Sequence, residues 1–127
     1  MDKFIYYYIP LILELIKAFS TTAIATAVIE TVFFSFLKYQ KKYFLIFIFI
    51  INLISNILLN IYISYANIDY KTIMTSELVV VLVEYIATIC FLKTDFKASL
   101  VLFVQILFAN ILSYSIGIIW FSIMKMF

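Results

Sequence analysis

Four apolar runs of about 20 residues, cut apart by three charged breaks, leave this chain few ways to fold. The runs cover residues 19–37, 43–65, 74–92 and 98–121. A helix needs ~20 mainly apolar residues to cross a bilayer. The breaks hold Tyr39-Gln40-Lys41-Lys42, then residues 66–72 with Asp69 and Lys71, then Lys93-Thr94-Asp95-Phe96-Lys97. The first and third breaks are short, so the helices flanking each are expected to be antiparallel neighbours. Thr94 or Asp95 can cap the fourth helix, and Thr75 or Ser76 the third. β-Branched residues abound, but the alternation that an eight-stranded barrel requires is missing. The predicted fold is all-α: one polytopic membrane domain over 1–127 with four transmembrane helices.

Composition supports the bilayer as solvent. Hydrophobic residues make up 67% of the 127 and charged residues 13%, against ~25% charged in a soluble domain. A soluble domain of this size keeps too much of its surface in water to hide that apolar excess. The net charge of +2 is too small and too scattered for a nucleic-acid binder. There is no His, a single Gly and a single Cys. Histidine-based sites, glycine-rich phosphate loops, disulfides and iron–sulfur centres are excluded. No metal site and no cofactor are expected. Cys90 sits in an apolar run and reads as a small core residue.

Residues 1–18 form an N-terminal amphipathic segment, read as an interfacial or extended helix ahead of the first span. Pro10 suits the first turn of a helix, Glu14 and Lys17 can pair three residues apart, and Tyr6, Tyr7 and Tyr8 suit the headgroup zone. A tilted or re-entrant fifth element is the alternative. Lys3, the apolar stretch after it and Ala23-Ile24-Ala25 mimic a signal peptide, but Glu14 and Lys17 interrupt the apolar region, so no cleavage is expected. Loops 38–42 and 93–97 carry five lysines and the opposite side four. The lysine rule then places these loops in the cytoplasm and both termini outside, in a multi-pass cell-membrane protein, by a margin thin enough to allow dual insertion.

Shifting the sequence by 54 residues sets Thr26-Ala27-Val28-Ile29-Glu30 on Val80-Val81-Leu82-Val83-Glu84, and Ser55-Asn56-Ile57-Leu58 on Ala109-Asn110-Ile111-Leu112. Polar residues are scarce in these runs, so the Glu and Asn matches carry weight. The reading is an internal repeat: two helical hairpins related by a pseudo-two-fold axis along the membrane normal. It sets Glu30 and Glu84 at one depth, ~12 Å from the lysine loops, with Asn56 and Asn110 deeper.

The polar remainder falls on stripes of helical period. The first span carries Thr22, Thr26 and Glu30; the second Asn52, Asn56, Asn60 and Ser64; the third Glu77, Glu84 and Thr88. The fourth carries Ala109, Ser113 and Gly117, with Asn110 and Gln105 close by. The plain reading of such stripes is interhelical glue. It covers Ala109, Ser113 and Gly117 as a close-packing face, the Asn52/Asn56/Asn60 ladder, and Glu77 as a first-turn residue beside the helix dipole. Tyr62, Tyr65, Tyr70 and Trp120 read as aromatic-belt anchors. Glu30 and Glu84 differ, because no Lys or Arg lies at their depth. Each must carry a proton and donate to an amide, or hold a cation.

The Glu-bearing odd helices, the run Asn-Leu-Ile-Ser-Asn-Ile-Leu-Leu-Asn at 52–60 and Ala-Asn-Ile-Leu-Ser at 109–113 resemble those of small uncharacterised bacterial four-helix integral membrane proteins. The resemblance spans most of the chain and implies a bacterial membrane bundle without assigning an activity.

Two functions follow as expectations. One is a transport-type protein that binds a proton, cation or small cationic substrate at Glu30 and Glu84, with Asn56 and Asn110 as amide ligands. Asn52, Asn60, Glu77, Gln105 and Thr26 are secondary candidates. Four spans are few for such a task, so a homo-oligomer or a larger membrane partner is expected. The other is a non-transporting interaction protein: an accessory subunit, an immunity or regulatory protein, or a ligand-capturing component. An enzyme is not expected, because the spans hold no Ser/His or Asp/Asp arrangement.

Overall fold

A computed structural model describes residues 2–37, 39, 41–65 and 69–126. The described residues are helical apart from short connections, with no strand among them. Four helices follow in order: α1 (Asp2–Phe36), α2 (Lys42–Tyr65), α3 (Tyr70–Leu92) and α4 (Phe96–Met124). Three helical stretches are long and apolar enough to cross a membrane: Lys42–Ile63, Lys71–Leu92 and Phe96–Met124. The apolar part of α1, Ser20–Phe36, has 17 residues, about 25 Å at 1.5 Å per residue. Outward-facing residues such as Ile46, Ile50, Leu78, Val104 and Ile119 are exposed, an apolar surface beyond what a soluble monomer shows.

Local chemistry sets the helix ends, and two differ from expectation. Asp69 caps α3: its carboxylate accepts from the Thr72 amide at 2.8 Å and from the Thr72 hydroxyl. The helix therefore begins at Tyr70. Thr75 and Ser76 do not cap it; they lie inside and donate to the carbonyls of Lys71 and Thr72. Glu77 falls in the third turn of α3, not the first, too far in to complement orphan amides. Asp95 caps α4 as expected, accepting from the Ala98 amide at 2.9 Å. Helix α3 ends on Lys93, which adopts a left-handed conformation with φ 49°.

The N-terminal segment is not a separate element. α1 runs unbroken for 35 residues with Pro10 inside it, roughly 52 Å long. Pro10 thus sits in the third turn rather than the first, where it removes one backbone hydrogen bond. The Glu14–Lys17 pair and the side chains of Tyr6, Tyr7, Tyr65 and Tyr70 lie outside the described residues.

The helices form a square. α1 packs on α2 and α4, and α3 packs on the same two; α1–α3 and α2–α4 make no close backbone approach among the described residues. Phe34 meets Phe44 while Thr22 meets Asn60, so α1 and α2 are antiparallel. Phe47–Phe91 with Ser55–Glu84, and Tyr85–Phe103 with Glu84–Asn110, give the same sense to the next two seams. The arrangement is up-down-up-down.

Packing is unequal along the axis. The end nearer residues 39–41 and 93–95 is filled by Phe34, Phe44, Ile48, Val81, Leu102, Ile106 and Ala109. Aromatic rings seal it: Phe34 and Phe44 meet edge-on at 5.9 Å, Tyr39 lies 4.9 Å from Phe44, and Phe47 stacks on Phe91 at 4.2 Å. These spacings lie in or just inside the usual range for aromatic pairs. The opposite half is held apart by cavities.

Candidate functional site

The sealed half ends on a layer of polar side chains drawn from all four helices. Glu30 on α1 and Glu84 on α3 come from opposite corners and are 1% and 2% exposed. Asn110 on α4 joins them. Its Nδ2 donates to Glu84 Oε2 at 2.8 Å and reaches Glu30 Oε2 at 3.5 Å. The same nitrogen lies 3.1 Å from the Ile106 carbonyl. Two hydrogens thus face three acceptors, and the 3.5 Å contact is the one left weakest.

Each carboxylate also has a hydroxyl donor. Ser55 on α2 donates to Glu84 Oε1 at 2.6 Å, and the Ser113 hydroxyl on α4 reaches Glu30 Oε1 and the Asn110 carbonyl at 3.0 Å each, sharing one hydrogen between them. Both serines are buried. Among the described residues, no lysine joins the layer, and no cluster of three or more His, Cys, Asp and Glu side chains is suited to a metal ion. The layer offers carboxyl oxygens and neutral donors, with no lysine among the described residues to balance the two acids.

A central cavity of about 380 Å³ lies above the layer, away from the aromatic seal. All four helices line it: Thr22 and Thr26 from α1, Asn56 from α2, Glu77 from α3, and Asn110, Ser113, Tyr114, Gly117 and Ile118 from α4. Asn110 and Ser113 form the floor and touch the carboxylates directly. The carboxylate pair therefore borders the floor of this polar cavity.

The expected site residues separate into groups. Glu30, Glu84 and Asn110 come together. Asn56 does not reach the carboxylates; its Nδ2 donates to the Asn52 carbonyl at 2.8 Å, and the side chain lines the cavity. Asn52 is buried, with Oδ1 unpaired among the described residues. Gln105 Oε1 is likewise buried and unpaired. Asn60 meets Thr22 Oγ1 at 3.4 Å across the α1–α2 seam, outside the layer. Thr26 and Glu77 line the cavity wall. Gly117 is exposed, with open space where a Cβ would lie, so it widens the cavity instead of closing a helix contact; Ala109 is fully buried and does pack. Tyr62 and Trp120 face outward, and Cys90 is exposed on α3 instead of lying in the core.

Ser55 and Ser113 were not singled out as ligands by sequence. The available signal was positional: each lies on the inward face of its helix, three residues from Asn52 or Asn110. No protein-family model matches the chain, and neither a curated protein nor a solved structure matches it.

Proposed function

We propose that this chain is a small transport-type integral membrane protein that binds a cation at Glu30 and Glu84 and passes it across the bilayer. One observation carries the reading: two buried carboxyl groups share one amide at the floor of a polar cavity. Intramembrane carboxylates of this kind mark ion and proton paths. Binding a monovalent cation displaces one proton from the pair, so charge stays balanced in the low-dielectric layer.

The same reading makes α1 a fourth span, its N-terminal extension carrying the short apolar part of the helix across. It takes the two hairpins as halves related by the 54-residue offset, since Glu30 and Glu84 reach the axis from opposite corners. It keeps the lysine loops in the cytoplasm, where the aromatic seal closes the passage, and the cavity open to the outside. A homo-oligomer in the cell membrane of a bacterium is the setting it favours, and a carrier rather than an enzyme is the role.

Replacing both carboxylates, Glu30→Gln with Glu84→Gln, keeps the shape and removes the charge. In proteoliposomes the double variant is expected to lose cation-coupled proton release and uptake. Unchanged activity would refute the proposal. A second reading, a non-transporting interaction protein, draws on a groove of about 540 Å³ between α2 and α3, walled by Leu58, Leu59, Val79, Val80 and Val83. Co-purification of a stoichiometric partner after mild extraction would favour it, and a lone monodisperse monomer would count against it.

A further inference from the structure

Two cavities meet at Glu77 and Tyr114. The first is the central polar cavity above the carboxylate layer. The second is an apolar groove of about 280 Å³ in the seam between α3 and α4, walled by Ile73, Met74, Leu78, Val81, Leu107 and Ile111. Glu77, Asn110 and Tyr114 line both spaces. The groove therefore abuts the carboxylate chamber sideways, through the wall of the bundle. The larger groove between α2 and α3 has no carboxylate in its lining.

This juxtaposition constrains the cargo. A bare ion or a proton needs neither a central chamber of about 380 Å³ nor an apolar side groove. At about 30 Å³ per water-sized group, the side groove of about 280 Å³ has room for roughly eight to ten such groups. The chamber lies at the small end of the range that organic ligands occupy. A molecule with a positive head and one apolar tail satisfies both spaces together. Its tail lies among Leu78, Leu107 and Ile111, while its head meets Glu77 and then the Glu30–Glu84 layer. Tyr114, on the same rim, adds an aromatic ring of the kind that attracts ammonium groups.

We propose that the cargo is an aliphatic ammonium with a single unbranched tail, which enters from the hydrocarbon layer through the α3–α4 seam and is received first by Glu77. The proposal rests on the reading of Glu30 and Glu84 as a cation-binding pair. A tail gains little on moving from lipid into the groove, because lipid is as apolar as leucine. The head supplies the selectivity, and the groove is the opening that lets the tail stay attached while the head sits at the acids, so filling it excludes the tailed molecule sterically.

The test compares tetramethylammonium with decyltrimethylammonium by equilibrium binding to the full chain in nanodiscs of one lipid composition. The groove is filled in Leu78→Phe with Ile111→Phe, two exposed positions on its outer wall. Lipid partitioning of the probes is the same for both proteins, so their ratio isolates the groove. The filled variant is expected to bind tetramethylammonium as wild type does and to lose at least tenfold in affinity for the decyl probe. Glu77→Gln is expected to weaken both probes. Equal decyl binding by wild type and the filled variant overturns the proposal, while Glu30- and Glu84-dependent tetramethylammonium binding would leave the carboxylate reading standing. Tetramethylammonium binding that ignores Glu30→Gln with Glu84→Gln refutes the carboxylate reading and this one with it. If the double filling variant fails to fold, Ile111→Phe alone carries the comparison.

Discussion

Asn110 offers one amide nitrogen to two carboxylates, and the distances say that it does not serve them equally. The Glu84 contact at 2.8 Å is a short bond to a carboxyl oxygen, whereas the Glu30 contact at 3.5 Å lies at the limit of a hydrogen bond. The Ile106 carbonyl at 3.1 Å competes for the second hydrogen. Interhelical polar pairs in membranes average about 0.6 kcal/mol and reach about 1.7 kcal/mol. The Asn110–Glu84 pair, short and buried, belongs near the upper value, about 1–1.7 kcal/mol; the Asn110–Glu30 pair belongs below about 0.6 kcal/mol.

Two double-mutant cycles separate these values. Asn110→Leu is combined with Glu84→Leu in one and with Glu30→Leu in the other, because leucine keeps the approximate volume and removes the polar atoms. Reversible unfolding in mixed lipid–SDS micelles, followed by circular dichroism, gives the four stabilities of each cycle. The coupling term cancels the cost of leaving a lone partner in the core. The expected result is a coupling to Glu84 that exceeds the coupling to Glu30 by about twofold or more. A Glu30 coupling equal to or larger than the Glu84 coupling would refute the assignment of Asn110 as the Glu84 partner.

Three further outcomes follow from the fold. Phe34→Ala removes the ring that meets Phe33, Tyr39 and Phe44 in the seal, and vesicles holding an internal pH dye are expected to leak protons; leakage at the wild-type rate would show that the seal is not the barrier. Lys93→Gly relieves the left-handed backbone at the end of α3 and is expected to stabilise the fold by about 1 kcal/mol, seen as a raised unfolding midpoint, whereas Lys93→Ala keeps the backbone penalty and gains nothing of that size. The Thr72 hydroxyl, then the Thr72 amide, holds the exposed Asp69 carboxyl below the usual range. That cap is complete above the unfolded value of ~3.9 and is lost as pH falls through the lower folded value. Asp69→Ala should therefore speed hydrogen exchange at Thr72 at neutral pH and remove this acid dependence.

The helices were legible because long apolar runs broken by lysines admit few alternatives. Their ends were less so. Asp69 lies five residues outside the third apolar run, and only its bond to the Thr72 amide draws Tyr70 through Ile73 into α3. Pro10 looked like a helix start by composition, yet α1 carries it within. In the site, Glu30 and Glu84 were readable because an uncompensated carboxylate must turn inward. Ser55 and Ser113 were not, because a helical serine usually donates to its own backbone. Ser20, Ser76, Ser115 and Ser122 do that here, each to a carbonyl four residues earlier. Only packing distinguishes a serine that also reaches a carboxylate. Asn56 failed for a related reason, since the Asn52 carbonyl one turn away satisfies its amide.

The site is symmetric in its acids and asymmetric in its donors. At the 54-residue offset Glu30 corresponds to Glu84 and Asn56 to Asn110, but Ser55 corresponds to Ala109 and Ser113 to Leu59. α4 supplies both the amide and one hydroxyl, while α2 supplies one hydroxyl. Glu84 therefore holds two short bonds, and Glu30 holds one hydroxyl contact shared with the Asn110 carbonyl and one amide contact at the limit. Glu30 is the less committed acid, and its serine partner lines the open cavity. On the proposed reading, a cation in that cavity displaces the donors of Glu30 at lower cost than those of Glu84. On the proposed cation-binding reading, the donors set the order of engagement: Glu77 at the rim, then Glu30, then Glu84.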